Sequence, residues 1–275
     1  MTEHPADPMA PEVRMSHLNG RDARSIMAGN PTILLPLGSH EDQGPHAPMG
    51  DFLLAQRMAE LGAIRAHANG VPTYVAPAIP YGGEDYFRSM IGGAVLQPET
   101  LTAVLLDVLR SFADNGLTNI AIINGHHGNI GPISIAARRI HETCGIRIPS
   151  MNIWEAAYAM LPAIVGPEEA RKRAGHGADP LASVAQHLFP DLVRRDYMLE
   201  QRNTNPDPAF GLPVVRLGQL DLDGVTIALP FDYADVFNDG IGNGDPRLSD
   251  PATGEALVTK LASAIAGLSA LFQKP

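Results

Sequence analysis

The sequence predicts an α/β protein built on a mainly parallel sheet. Short apolar runs alternate with stretches of helical period at intervals of roughly 20–30 residues, the pattern that right-handed strand–helix–strand crossovers require. Two of those runs lead straight into polar, glycine-broken loops. Composition agrees: 275 residues, 45% hydrophobic and 18% charged, can bury a sizeable core as one α/β domain.

Residues 1–12 hold Glu3, Asp7, Glu12 and three prolines and read as a flexible tail, leaving residues 13–275 as the folded unit. Thr32–Leu37 is the first buried strand. Phe52–Ala68 follows as a helix, with Leu53, Leu54, Met58, Leu61 and Ile64 at helical spacing and Asn69-Gly70 as its left-handed stop. Thr73–Ile79 is the second strand; Pro80-Tyr81-Gly82-Gly83 breaks it, and a loop or small hairpin runs to Val95. Pro98-Glu99-Thr100 opens a helix whose apolar face carries Leu101, Leu105, Val108 and Phe112, and Asn115-Gly116 closes it. The third strand, 119–123, precedes a helix from Ile130 to about Thr143, and Arg147–Ile153 is the fourth strand. Beyond Trp154 the alternation loosens. Helices are expected over Glu155–Ile164 and Pro180–Leu188, and a final amphipathic helix over Gly254–Phe272. Between them Asn203–Gly244 is rich in Gly, Pro, Asp and Asn, with one strand-like piece at Val225–Leu229. A long irregular stretch in a compact domain usually forms a site wall or a subunit contact.

A formal charge of −10 argues against a nucleic-acid partner, which would need a basic face. The single cysteine, Cys144, excludes an internal disulfide and a cysteine zinc cluster, fits a reducing cytosol, and reads as a small buried hydrophobe at a helix end. Residues 1–12 have no apolar signal-peptide core. No uninterrupted apolar run approaches the roughly 20 residues of a membrane span. The expectation is a soluble, cytoplasmic protein with no membrane partner.

Chemistry concentrates in the loops. Gly38–Asp51 contains two histidines, three carboxylates and Gln43, and Asn124-Gly125-His126-His127-Gly128-Asn129 is a second loop of the same character. Loops leaving two buried strands can meet at one point of an open α/β sheet, where sites usually lie. Glu41, Asp51 and His126 are the best ligand candidates for a divalent metal, since such an ion accepts two carboxylates and an imidazole. Taken singly each has an ordinary reading: Asp51 as a helix cap, Glu41 as a solvated charge, His126 as a hydrogen-bonded loop residue. Their coincidence on two strand-end loops favours the metal. Ala174-Gly175-His176-Gly177-Ala178-Asp179-Pro180 is a third such loop, whose glycines would allow close backbone approach to a ligand. Asp179 before Pro180 also suits a helix cap. His46, His127 and Gln43 are weaker candidates for supporting positions. Tyr81, Tyr86 and Trp154 are candidate pocket walls. The pairs Gly82-Gly83 and Gly92-Gly93 lack dinucleotide-loop spacing, and neither a Walker loop nor a nucleophile elbow is present.

With these loops in view, the sequence resembles the creatininase (creatinine amidohydrolase) family from about residue 31 to 260. Pro36-Leu37-Gly38-Ser39-x-Glu41 with Gly44-Pro45-His46-x-Pro48 and Asp51 is similar to its first signature, and Asn124-Gly125-His126-His127-Gly128-Asn129 to its second. His176-Gly177-Ala178-Asp179 looks like a weakened His-Ala-Gly-Glu segment, and Gly244-Asp245-Pro246 with Ala252-Thr253 resembles the C-terminal elements. The resemblance implies a three-layer α/β/α sandwich, assembly as a homo-oligomer (a hexamer), and a two-metal site that hydrolyses amide or cyclic amide C–N bonds. It maps the first metal onto Glu41, Asp51 and His126, with Asp51 bridging, and the general acid/base onto His176.

The chain also departs from the family pattern. Gln43 stands where the family usually has a histidine, and Gly128 where creatininase itself has a glutamate. Asp179 is the matching carboxylate in the branch that includes the mycofactocin-system peptidase. One or two ions, Zn²⁺ or Mn²⁺, with Mg²⁺ also open, are therefore compatible with the motifs.

The expected reaction is hydrolysis of a small amide or lactam by metal-activated water. His176 would shuttle the proton, and the backbone N–H groups from Gly125 to Gly128 would steady the oxyanion. Asn124, Gly125, His127, Trp154 and Tyr81 would contact the substrate. A metal-dependent isomerase or lyase on a cyclic or sugar-like substrate, and a metal-deficient binding protein, are the competing readings.

Overall fold

The computed structural model describes residues 10–83, 88–199, 209–216, 218–230, 232 and 240–273. Most of the 1–12 tail, Tyr86 and much of 203–244 therefore lie outside the described residues.

Four strands form the central sheet: β1 (Thr32–Leu37), β2 (Thr73–Val75), β3 (Ile120–Asn124) and β4 (Ser150–Asn152), in the order β2-β1-β3-β4 and parallel throughout. The chain passes from β1 outward to β2 and then returns to the other side of β1 as β3. That reversal opens a crevice at the carboxyl ends of β1 and β3. The register pairs Leu37 with Asn124, so the loops after those two residues leave the sheet side by side.

Strand alternation divides two cores between the faces. Leu34, Ala121 and Ile123 face α2 (Phe52–Ala68), α5 (Ile153–Val165), α7 (Leu181–Leu188) and the C-terminal helix α8 (Pro251–Ala270). Ile33, Leu35, Leu37, Ile120 and Ile122 face α3 (Pro98–Asp114) and α4 (Ile130–Cys144). The result is the expected three-layer α/β/α sandwich.

The expected elements recur with instructive changes of length. The second strand ends at Val75 rather than Ile79 because the chain bulges: Ala76 N–H still donates to Leu34 at 2.9 Å, but the next bond to β1 comes from Ile79 N–H to Pro36 at 3.1 Å, one residue out of step. The fourth strand begins only after Pro149, which faces β3 and has no N–H for that ladder. Two helices were not anticipated: α1 (Gly20–Met27), capped by Asn19, and α6 (Pro167–Arg173). The irregular 203–244 segment contains a three-stranded antiparallel sheet, β5 (Val214–Arg216), β6 (Gln219–Leu222) and β7 (Val225–Ala228), where a single strand was expected.

Cys144 is partly buried against the second core. An 18-residue window within Pro251–Gln273 has a mean hydropathy of 1.4, and the helix is long enough to cross a membrane although Glu255 and Lys260 interrupt its apolar run. Here it is a core element, with Leu257, Leu261 and Ile265 fully buried in the first core.

Candidate metal centre and its cavity

The register of β1 and β3 carries Glu41 and His126 to one point, and the start of α2 brings Asp51 to it. One ligand atom from each of the three lies within 4.8 Å of the others. His126 Nδ1 is 3.0 Å from Glu41 Oε2 and 3.6 Å from Asp51 Oδ2. All three side chains are buried. Asp51 stands at the N-cap position of α2, but its side chain makes no cap bond; its Oδ1 instead accepts the Ser39 N–H at 2.7 Å, which aims the other oxygen at the cluster.

Crowding two carboxylates in a dry place sets the electrostatics. Burial and the neighbouring Glu41 charge push the Asp51 carboxyl up to about 7, against the opposing pull of His126. Burial would raise Glu41 too, but the adjacent His126 and His176 rings hold it down to about 2. Burial disfavours the charged His126 ring, yet the two carboxylates outweigh it and hold its pKa well above the ordinary value. Without a metal the cluster holds its charge balance with protons, the condition a divalent cation would replace.

The Gln43 side chain is 2% exposed; its Nε2 donates to Glu41 Oε1 at 2.6 Å, and its Oε1 is a buried amide oxygen with no hydrogen-bond partner. This donor set fits a hard or borderline divalent ion: two carboxylates, one imidazole and an unsatisfied carbonyl oxygen beside them.

His176 flanks the cluster. Its Nδ1 bonds the Gly240 carbonyl at 2.9 Å and its Nε2 lies 3.5 Å from Glu41 Oε1. The glycines around it serve the backbone rather than a ligand. A Cβ on Gly177, whose φ is +68°, would come within 2.6 Å of the Gly240 oxygen, and Gly175 packs directly on the Asn243–Gly244 backbone. Asp179 is placed differently from the ligand expectation. It is fully buried, with Oδ2 on Arg173 Nε at 2.7 Å and Oδ1 accepting the Ser183 N–H at 3.1 Å, so its carboxylate is committed to the scaffold.

A cavity of about 370 Å³ opens over the cluster, within the range of small-molecule sites. Asn124, Gly125, His127 and Trp154 border it, together with Asn152, Glu155 and Tyr158, which sequence reasoning missed. Tyr81 does not border it. That ring is 47% exposed and stands edge-on to His40. Asn124 is a brace more than a contact: Oδ1 accepts from His126 N–H (3.2 Å) and Asn129 Nδ2 (3.0 Å), while Nδ2 donates to the His126 carbonyl (2.7 Å) and Asn152 Oδ1 (2.9 Å). Asn129, also missed, is fully buried and ties this loop to Gly83 and Gly38. The oxyanion expectation for the loop narrows as well, because Gly125 N–H is committed to Leu37 at 2.7 Å and His126 N–H to Asn124. His46 is buried under the loop near Asp42 and Gly177, away from the cavity wall, and burial pushes its pKa down.

Fold and centre together define an α/β sandwich protein with a buried carboxylate–imidazole cluster under an open cavity. The family model described as creatininase, creatinine amidohydrolase, matches residues 16–269. The chain therefore belongs to the creatininase family. Among curated relatives, the mycofactocin precursor peptide peptidase of Mycobacterium tuberculosis is 31% identical over 128 residues, 44% of this chain and 51% of that protein. The chain thus spans about half the length of that relative. The same-named protein of Mycobacterium ulcerans is 33% identical over 194 residues (68% and 70%). The creatinine amidohydrolase of Pseudomonas putida is 26% identical over 206 residues (69% and 76%). Of the solved structures, a creatininase described as its Mn form superposes with a TM-score of 0.75 at 22% identity, covering 96% of this chain and all of that one, a likeness of fold.

Proposed function

We propose that the protein is a metal-dependent hydrolase of a C–N bond in a small amide or cyclic amide. The observation that carries this reading is the convergence of Glu41, Asp51 and His126 within 4.8 Å at the base of a cavity that His176 also borders. Relatives named as an amidohydrolase and a peptidase point the same way.

When bound, a divalent ion supplies Lewis acidity toward the carbonyl and a water of lowered pKa. The chain does the rest. Ser39 and Gln43 orient the two carboxylates. His176, with its proton fixed on Nδ1 by the Gly240 carbonyl, offers Nε2 to take the proton of the attacking water and return it to the leaving nitrogen. With the Gly125 and His126 N–H groups committed to Leu37 and Asn124, those of His127 and Gly128 are the loop donors left for steadying the oxyanion.

We further propose a single ion per site, Zn²⁺ or Mn²⁺. Asp179 is held by Arg173, and Gln43 brings only a neutral oxygen, so the side chains that could hold a second ion lack free anionic ligands. Two carboxylates neutralise one divalent charge, whereas a second ion would leave a buried excess.

Elemental analysis after loading tests the stoichiometry, and less than one ion retained under Mn²⁺ or Zn²⁺ excess would favour a binding protein instead. Turnover of small lactams and primary amides in H₂¹⁸O tests the reaction: hydrolysis places label in the product carboxyl and stops on chelation. Product without label points to an isomerase or lyase, and hydrolysis that survives chelation rejects the metal mechanism.

A further inference from the structure

We propose that Glu155 selects the substrate, so that the cavity prefers amides carrying a cationic group remote from the scissile bond and disfavours anionic ones. The inference rests on the cavity being the substrate site, as in the reading above, and it deepens that reading by naming a substrate class.

Charge bookkeeping leads there. A single divalent ion would offset Glu41 and Asp51, whereas Glu155, exposed on the same cavity wall, is a third carboxylate outside that pair. Among the described residues no lysine or arginine borders the cavity. Arg173, on the α6 side of the His176 loop, is taken up by Asp179 at 2.7 Å and Asp250 at 2.8 Å. The basic-capable side chains on the wall are histidines: His126 within the cluster, His176 on Gly240, and the exposed His127. An anionic group held away from the ion would therefore meet a carboxylate with no lysine or arginine on the wall to offset it.

The local structure presents Glu155 for this purpose. It lies in the first turn of α5, and its Oε2 accepts Asn152 Nδ2 at 3.1 Å, a neutral contact that leaves Oε1 for a ligand. Asn152 is braced in turn by Asn124, so the carboxylate is tied to the same scaffold that holds His126. Trp154 and Tyr158, neighbours on one face of α5 at i and i+4, border the cavity beside it. The Trp154 indole is fixed by Nε1 donating to the Gly125 carbonyl at 2.6 Å. A carboxylate next to aromatic faces is a common recognition set for ammonium and guanidinium groups. An acid in a first turn also suits the helix dipole, but that role would change stability without changing ligand preference.

The test reads binding, not turnover, because Trp154 is the chain's single tryptophan and borders the cavity. Mn²⁺-loaded protein is titrated with 4-aminobutanamide, pentanamide and succinamate while Trp154 emission is followed. The cationic amide is expected to bind about three- to tenfold more tightly than the neutral one, and succinamate more weakly than both. Glu155→Gln keeps an oxygen for Asn152 and should bring the cationic-to-neutral ratio to about one. Glu155→Lys should turn the preference toward succinamate, with circular dichroism confirming both folds. Equal affinities in the unaltered protein, no binding of 4-aminobutanamide, or a preference that survives Glu155→Gln overturns the proposal. Failure of the hydrolase reading would appear separately, as absent turnover with the binding preference intact.

Discussion

His176 Nδ1 and the Gly240 carbonyl are 2.9 Å apart, and a carbonyl oxygen can only accept. A proton is therefore on Nδ1, and Nε2, 3.5 Å from Glu41 Oε1, is the ring atom that can exchange a proton with the cluster side. A proton shuttle works through that second nitrogen. His176→Asn should lower kcat by about 10²–10⁴-fold while metal retention stays intact, since the ring is outside the three-residue ligand set. Elemental analysis beside steady-state kinetics checks both halves. Loss of metal together with loss of turnover would move His176 into the ligand set.

The protonation of the metal-free cluster predicts how metal affinity responds to pH. Asp51 is pushed up to about 7 by burial and by Glu41, and His126 is held well above its ordinary value, so both must release protons to become ligands. Below about pH 7 Asp51 is increasingly protonated, protons compete more strongly, and Mn²⁺ binds more weakly. Calorimetric titration at several pH values, in buffers of different ionisation enthalpy, should show proton release on binding and affinity rising with pH through neutrality. A flat profile would mean the cluster is already deprotonated.

Asn124 offers a test of how the second loop is held. Its side chain bonds both backbone groups of His126 and the side chains of Asn129 and Asn152. Asn124→Ala removes all four contacts and frees the loop that carries the imidazole. Metal affinity should drop about 10–100-fold, the usual penalty for losing groups that orient a ligand. Calorimetric Kd values for Mn²⁺ decide it, and an unchanged Kd would show that β3 alone fixes His126.

Legibility tracked how local the cause of each feature is. Apolar runs such as Ile120–Ile123 announce buried strands, and Asn69-Gly70 and Asn115-Gly116 announce helix ends, so most of the sandwich could be read directly. Edge strands are shorter than their apolar runs because a bulge after Ala76 and the missing N–H of Pro149 act through the neighbouring strand, which the run itself does not reveal. The hairpin between β6 and β7 carries a local signal as well. Asp223-Gly224 has positive φ at both residues (50° and 84°), as a type I′ turn requires. So does α6, with Pro167 first, Glu168 and Glu169 at its start, and Arg171–Arg173 at its end.

For the site, motif spacing indicated Glu41, Asp51 and His126, which the fold brings together. What could not be read were the partners that commit a side chain elsewhere. Asp179 resembled a ligand until Arg173, six residues earlier and on a helix not anticipated, proved to hold it. Glu155 and Tyr158 gave no signal, because a cavity wall has no sequence period of its own.

Arg173 anchors the last prediction. It is 5% exposed, bonds the fully buried Asp179 at 2.7 Å and Asp250 at 2.8 Å, and so ties the start of α8 to the loop that carries His176. Arg173→Met would leave the Asp179 charge without its partner in a dry place, where breaking a buried pair costs about 3–5 kcal/mol. Urea unfolding should register that loss, and Arg173→Met with Asp179→Asn should recover much of it by removing the stranded charge. The pH dependence supplies a second readout. Burial would raise Asp250, but the Thr253 N–H and hydroxyl and the Arg173 guanidinium hold its carboxyl below the usual range. A depressed carboxylate contributes stability above its unfolded value and loses it as the pH falls through the folded one. In Arg173→Met the Asp250 part of that acid-side loss should shrink. If the single variant matched the unaltered protein in urea, the link between α8 and the His176 loop would have to lie elsewhere.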